Sequence, residues 1–411
     1  MRAFPLALII AAAFAPPALA APDSKDDSTV VVTGIRLSDS ERALKECIAR
    51  KCAVEEDIAA TLRHAENLFV AGRYQQARNT LYAGRGRTRR FANTNPVAVS
   101  NVTRAIATVS AHLGDPEPYQ LSTIDTLDVL KAGLPRDDAR VLSARLEVAG
   151  MFAALGRFEA ADEVYVRVAN QARERDLVQI RGIAELRRAA LYSAAAVIDP
   201  AFYAQGEAQA INAVLRNTDP RYRVFVQAAR VLQARKSARA GDSKPLDAVL
   251  AELRRDGASE RPVLVHAPPI ASIRDSARGA IYNAGFTDGA PVLNALSRLP
   301  LRLFDDQWVD VSFYVAPDGH VTDVGILRGS PKLESDDWVK PVLGSIALRR
   351  YLPLKRDAND PGVLRVERYT LTSWLEVRTG SRIRQRAPEP RIEVLDLSID
   401  PVPPEPKRGS I

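Results

Sequence analysis

With 411 residues and 46% hydrophobic side chains, the chain is long enough to bury more than one core, and two or three domains are expected. Its formal charge of +7 is spread over 57 basic and 50 acidic side chains, too mild a bias for its length to indicate a nucleic-acid partner. The densest basic run, Arg85, Arg87, Arg89 and Arg90, lacks interleaved aromatics and reads as a solvated loop or helix end.

The first 20 residues have the three parts of a secretory signal: Arg2 as a basic start, an apolar core from Leu6 to Phe14, and Ala18-Leu19-Ala20 as a small-residue cleavage site. This apolar run is shorter than the roughly 20 residues a membrane span needs, and no other segment approaches that length. The expectation is a protein exported to the periplasm, without an integral span after cleavage. Residues 21–40 read as extended or disordered. Cys47 and Cys52 are the only cysteines, and in an oxidising compartment such a close pair is most simply a disulfide. Five positions apart on one helix they could not meet, so the helix must break between Ile48 and Lys51.

From residue 41 to 257 the sequence is rich in Ala, Leu, Arg and Glu at helical spacing. One phrase occurs twice: Ala65 to Leu81 holds Gly72-Arg73-Tyr74-Gln75-Gln76-Ala77, and Ala149 to Tyr165 holds Gly156-Arg157-Phe158-Glu159-Ala160-Ala161. Glycine can end the first helix in a left-handed conformation, and the alanines let two helices cross closely. At these residues the segment resembles the helix-turn-helix of a tetratricopeptide repeat. Three further helix pairs are predicted: Val97–Leu113 with Ser122–Ala132, Ile180–Ile198 with Phe202–Leu215, and Arg221–Ala240 with Leu246–Arg254. Either a curved array with a concave groove or an irregular bundle fits this pattern.

Residues 258–299, with Pro262, Pro268, Pro269 and Pro291, read as a linker. Next, Val309, Val311, Phe313 and Val315 alternate with polar or amphipathic residues, as in a half-buried strand. Ala316-Pro317-Asp318-Gly319 supplies a turn, His320 to Leu327 a second strand, and Trp338, Val342 and Ile346 recur at helical spacing. Asp336-Asp337 reads as the start of that helix, and Leu364 to Val377 as a long final strand. In this order, with Asp318-Gly319-His320-Val321 and Leu348-Arg349-Arg350-Tyr351-Leu352-Pro353, residues 300–385 resemble the carboxy-terminal domain of TonB. The resemblance implies a small α+β domain that binds an extended segment of an envelope partner, such as a TonB-dependent receptor, by strand addition. It carries over the binding behaviour only, because the uncleaved anchor helix and long proline-rich spacer of TonB are not read in this chain. Contact candidates on the last strand are Arg365, Glu367, Arg368 and Thr370, with Tyr351 at the helix exit.

Residues 386–411 form a proline-rich tail expected to stay extended or disordered, though Ile392 to Ile399 alternates well enough to become a strand if an edge is offered. Ser28 to Arg36, Ser-Thr-Val-Val-Val-Thr-Gly-Ile-Arg, resembles a phrase near the start of TonB-dependent receptor plugs and could likewise add to an edge. His64, His112, His266 and His320 are scattered, and neither a metal-binding spacing nor a catalytic constellation is read. The expected fold is therefore multidomain, an all-α tetratricopeptide-like region followed by a small α+β TonB-like domain. The expected function is protein–protein interaction without cofactor, metal or nucleic acid. The competing reading is a cell-envelope enzyme or regulatory subunit that uses the TonB-like module only for docking.

Overall fold

The computed structural model describes residues 36–239, 242, 244–255, 259–268, 270, 307–330, 338–377, 383–387 and 390–398. The expected signal, the Ser28 to Arg36 phrase up to residue 35, Asp336-Asp337 and residues 399–411 lie outside that range.

The helical part consists of α1 (Leu37–Ala49), α2 (Val54–Val70), α3 (Tyr74–Thr88), α4 (Pro96–His112), α5 (Pro116–Gly133), α6 (Ala139–Ala154), α7 (Phe158–Glu174), α8 (Val178–Ile198), α9 (Pro200–Leu215), α10 (Arg223–Arg239) and α11 (Lys244–Arg255). Each helix packs on the next, while α2 also meets α4, α6 meets α8 and α8 meets α10. These are the neighbours of a stacked array of hairpins. Prolines occupy the first turn of α4, α5 and α9, where no amide donor is missed. Pro116 for this reason starts α5 six residues before the Ser122 expected from periodicity. In both copies of the repeated phrase the glycine is left-handed, with φ of 76° at Gly72 and 72° at Gly156. Ala77 and Ala161 are fully buried where the paired helices cross.

Cys47 and Cys52 form a disulfide, with Cα atoms 5.2 Å apart. Helix α1 stops at Ala49, Lys51 turns left-handed with φ of 52°, and the Cys52 amide donates to the Cys47 carbonyl at 3.1 Å. The helix breaks where the spacing demanded.

The carboxy-terminal part contains β1 (Leu264–His266), β2 (Trp308–Val315), β3 (Val321–Gly329), α12 (Val339–Ala347), β4 (Arg350–Tyr351), β5 (Val363–Thr372), β6 (Leu375–Val377), β7 (Arg384–Arg386) and β8 (Arg391–Asp396). Its main sheet is antiparallel, in the order β3-β2-β5-β8. Alternation splits the sheet into two faces. Val309, Val311, Phe313, Val315, Tyr369 and Leu371 form a core with Trp338, Val339, Val342 and Ile346 at α12. Trp308, Asp310, Arg368 and Thr370, on the opposite face, are buried against the helical array.

Besides the start of α5, other boundaries differ from the sequence reading: α1 begins at Leu37, within the stretch expected to be extended. Part of the linker is a strand, since β1 pairs with β4. The long last strand ends at Thr372, and β6 leaves to pair with β7. The tail supplies β8, which lies along β5 from Glu367 to Thr372.

Candidate interaction groove

The sheet is fastened to the array by arginines placed at helix ends. A helix ends in carbonyls without amide partners and carries partial negative charge there. Arg368, with no exposed surface, donates to the last-turn carbonyls of α2, Phe69 at 2.6 Å and Val70 at 2.7 Å. It also holds Asp310 at 2.6 and 2.9 Å and stacks over the Trp308 ring, 3.8 Å from its centroid. Asp310 takes a second cation, Arg328, at 2.6 Å. At the end of α4, Arg391 donates to the Ala111 carbonyl at 3.2 Å and Arg386 to the Leu113 carbonyl at 2.8 Å. Arg391 lies 3.6 Å from the centre of the Trp374 ring, which stacks on Tyr119. Desolvation there brings the Arg391 guanidinium down to about 9 and pushes the Tyr119 phenol up to about 12.

The five contact residues expected from the sequence are all engaged within the chain. Thr370 bonds the Tyr74 hydroxyl at 2.9 Å and His112 Nδ1 at 3.0 Å. Arg368 is taken up as described. Glu367 accepts from Arg349 at 2.8 Å under the sheet, and the Tyr351 ring is buried in the same core. Arg365 pairs with Asp396 of β8. Nor is the edge of β5 open. Beyond β8 itself, the Leu397 amide donates to the Val366 carbonyl at 2.8 Å and the Val366 amide to Ser398 Oγ at 2.9 Å. At the far side of the sheet, β3 is interrupted by two register shifts, and Asp323 is left-handed with φ of 51°. Such bulges break the straight run of groups on which a second strand would pair.

The other margin of β8 faces a cavity of about 510 Å³, walled by α4, α5, α6, Tyr165 of α7 and α8. Five consecutive residues, Arg391 to Leu395, line it. Successive side chains of a strand point to opposite faces, so an uninterrupted run on one cavity places that cavity along the strand's edge. The direction of the backbone groups follows from two bonds. The Leu371 amide points to β2, donating to the Gln307 carbonyl at 2.9 Å, while Leu397 donates to Val366. In the antiparallel register these directions alternate. Arg391, Glu393 and Leu395 therefore turn their amides to β5, and Ile392, Val394 and Asp396 turn theirs outward. Among the described residues β8 has β5 as its sole strand neighbour.

Charge in the groove is nearly balanced: Arg104 pairs with Glu147 at 3.0 Å and Arg391 with Glu393. His112, at the floor, is kept neutral, its imidazole driven down to about 3 by burial, with Arg391 and Arg368 adding to the effect. The alternation of Ile392 to Ile399 was the sequence signal for this edge. Nothing in the sequence indicated the helices opposite it.

No family model matches the chain, and no curated protein matches it. Among solved structures it is similar to BtubC (BKLC) from P. vanneervenii, at 14% identity and a TM-score of 0.39, over 55% of this chain and 93% of that one.

Proposed function

We propose that this chain is a protein–protein interaction protein of the bacterial cell envelope, and that its receptive surface is the groove between the helical array and β8. An extended segment of a partner, with TonB-dependent receptors as the candidate class, lies in the groove and adds to β8 as a further antiparallel or parallel strand. The observation that carries this reading is the run of five consecutive β8 residues along one cavity, on a strand whose outer amides have no strand partner among the described residues. The volume falls within the range of pockets that hold ligands. The signal-like first 20 residues and the TonB-like motifs of the sequence support the envelope setting, and among the described residues no helix is long and apolar enough to cross a membrane.

Val394→Pro tests it. Proline at 394 removes an outward amide while leaving the donors of Arg391, Glu393 and Leu395 to the β5 ladder. Blocked hexapeptides of alternating valine and threonine are the probe, followed by fluorescence anisotropy and by hydrogen exchange at β8. Binding should protect the Ile392 and Val394 amides, and the variant should bind at least about tenfold more weakly with an unchanged melting curve. Equal binding by the variant, or protection confined to β3, would reject the groove.

A further inference from the structure

Among the described residues, one cation of the groove has no charge partner. Of the three arginines lining it, Arg104 and Arg391 face Glu147 and Glu393, whereas Arg187 on α8 has neither an acid nor a hydrogen-bond acceptor among the described residues. It is only half-buried. On α7, Tyr165 is 2% exposed, yet its hydroxyl likewise has no partner among the described residues and lies next to Gly150 in the cavity wall. Both side chains line the same cavity, and while burial pushes the Tyr165 phenol upward, the charge of Arg187 opposes that push.

We propose that the polypeptide entering this groove brings a carboxylate, which the forked donors of Arg187 grip while the Tyr165 hydroxyl donates a further bond. The inference rests on strand addition at β8 and names the chemistry of the incoming strand. A guanidinium and a carboxylate match in geometry, two parallel N–H donors meeting two oxygens. One unmatched positive charge in the lining suits a monoanion. A phosphate dianion would bring more charge than Arg187 offsets and would meet Glu147 and Glu393.

The test uses the full chain and three series of the valine–threonine hexapeptide. In the first, end-blocked series, glutamate replaces each position in turn, and the second is its glutamine twin. The third is the unsubstituted peptide with a free terminal carboxylate. At low salt the best glutamate peptide should bind about tenfold more tightly than its twin, and salt should erode that preference. The preference should vanish in Arg187→Met and fall a few-fold in Arg187→Lys and Tyr165→Phe, with melting curves confirming the fold. Because Tyr165→Phe removes one hydroxyl, it carries the test if Arg187→Met fails to fold. A gain seen only in the third series would uphold the carboxylate and assign it to a chain end. Equal binding of the glutamate and glutamine series, or a preference that survives Arg187→Met, would overturn this inference while leaving strand addition in place. Failure of every series to bind wild-type protein would overturn both.

Discussion

A guanidinium with no exposed surface is tolerated at Arg368 because each of its polar atoms is answered: Asp310 on one side, two end-of-helix carbonyls on the other, and an indole face above. Moving such a charge out of water costs several kcal/mol, and only this degree of pairing offsets it. His112, its neighbour, solves the same problem by staying neutral. It packs edge-on to Phe69 at 4.8 Å and bonds Thr370 at 3.0 Å, and burial brings its imidazole down to about 3 from 6.5. The sign of the pH effect follows by linkage. Above pH 6.5 both folded and unfolded chains hold a neutral ring and nothing is lost. Below it the unfolded chain takes up a proton that the folded chain refuses until about pH 3, so stability declines as the pH falls through that window. At pH 4 the loss from this one ring is about 3 kcal/mol. Urea denaturation at pH 7 and pH 4 should show wild-type protein losing that much more than His112→Gln. His266, lowered to about 4 chiefly by burial, leaves a smaller decline in the variant. Identical pH profiles for the two proteins would refute the assignment.

The two copies of the repeated helical phrase are alike in backbone but not in surroundings. A Cβ at Gly72 would run into the Trp308 indole, whereas at Gly156 it would meet nothing within 4 Å. Both glycines have positive φ, and that conformation costs a substituted residue about 1 kcal/mol. Gly156→Ala should therefore cost about 1 kcal/mol, and Gly72→Ala about 3 kcal/mol, because overpacking at the indole adds to the strain. Chemical denaturation of the two variants measures the gap, and equal losses would mean that Trp308 yields freely. Local signals explain why these hairpins could be read in advance: period, glycine and alanine all lie within one phrase. Other elements depended on distant partners. The apolar positions Tyr369, Leu371, Leu375 and Val377 keep one parity across Thr372, but periodicity cannot show that the chain exchanges β8 for β7 as its neighbour after Thr372. Likewise the four contact candidates of the last strand divide between its two faces: Glu367 lies on the side of Tyr369, bonded to Arg349, whereas Arg368 and Thr370 lie on the other. That face meets the ends of α2 and α4, not a partner protein, and single-sequence patterning does not register that contact.

At the scale of the molecule, β8 does two jobs at once. Its inner edge closes the row of amides and carbonyls on β5, an edge that would otherwise invite pairing with another chain. Its side chains bind both halves of the protein: Ile392 enters the core under the sheet, Leu395 packs on the helical core, and Arg391 caps α4. A strand so attached fixes the width of the groove, because the sheet cannot swing away from the array without breaking these contacts. Deleting residues 388–411 removes all of them together. The shortened chain should lose about 3 kcal/mol or more from the buried isoleucine and the arginine's bonds. It should also self-associate, since β5 would then present a long unbulged edge. Light scattering across a dilution series, set against the full chain, reads the association. A second comparison separates pairing at that edge from general stickiness: adding the free peptide 388–398 should restore the mass of the full chain. If the shortened protein keeps the full chain's mass and stability, β8 is not what holds the sheet edge shut, and the groove has lost its wall without consequence for the fold.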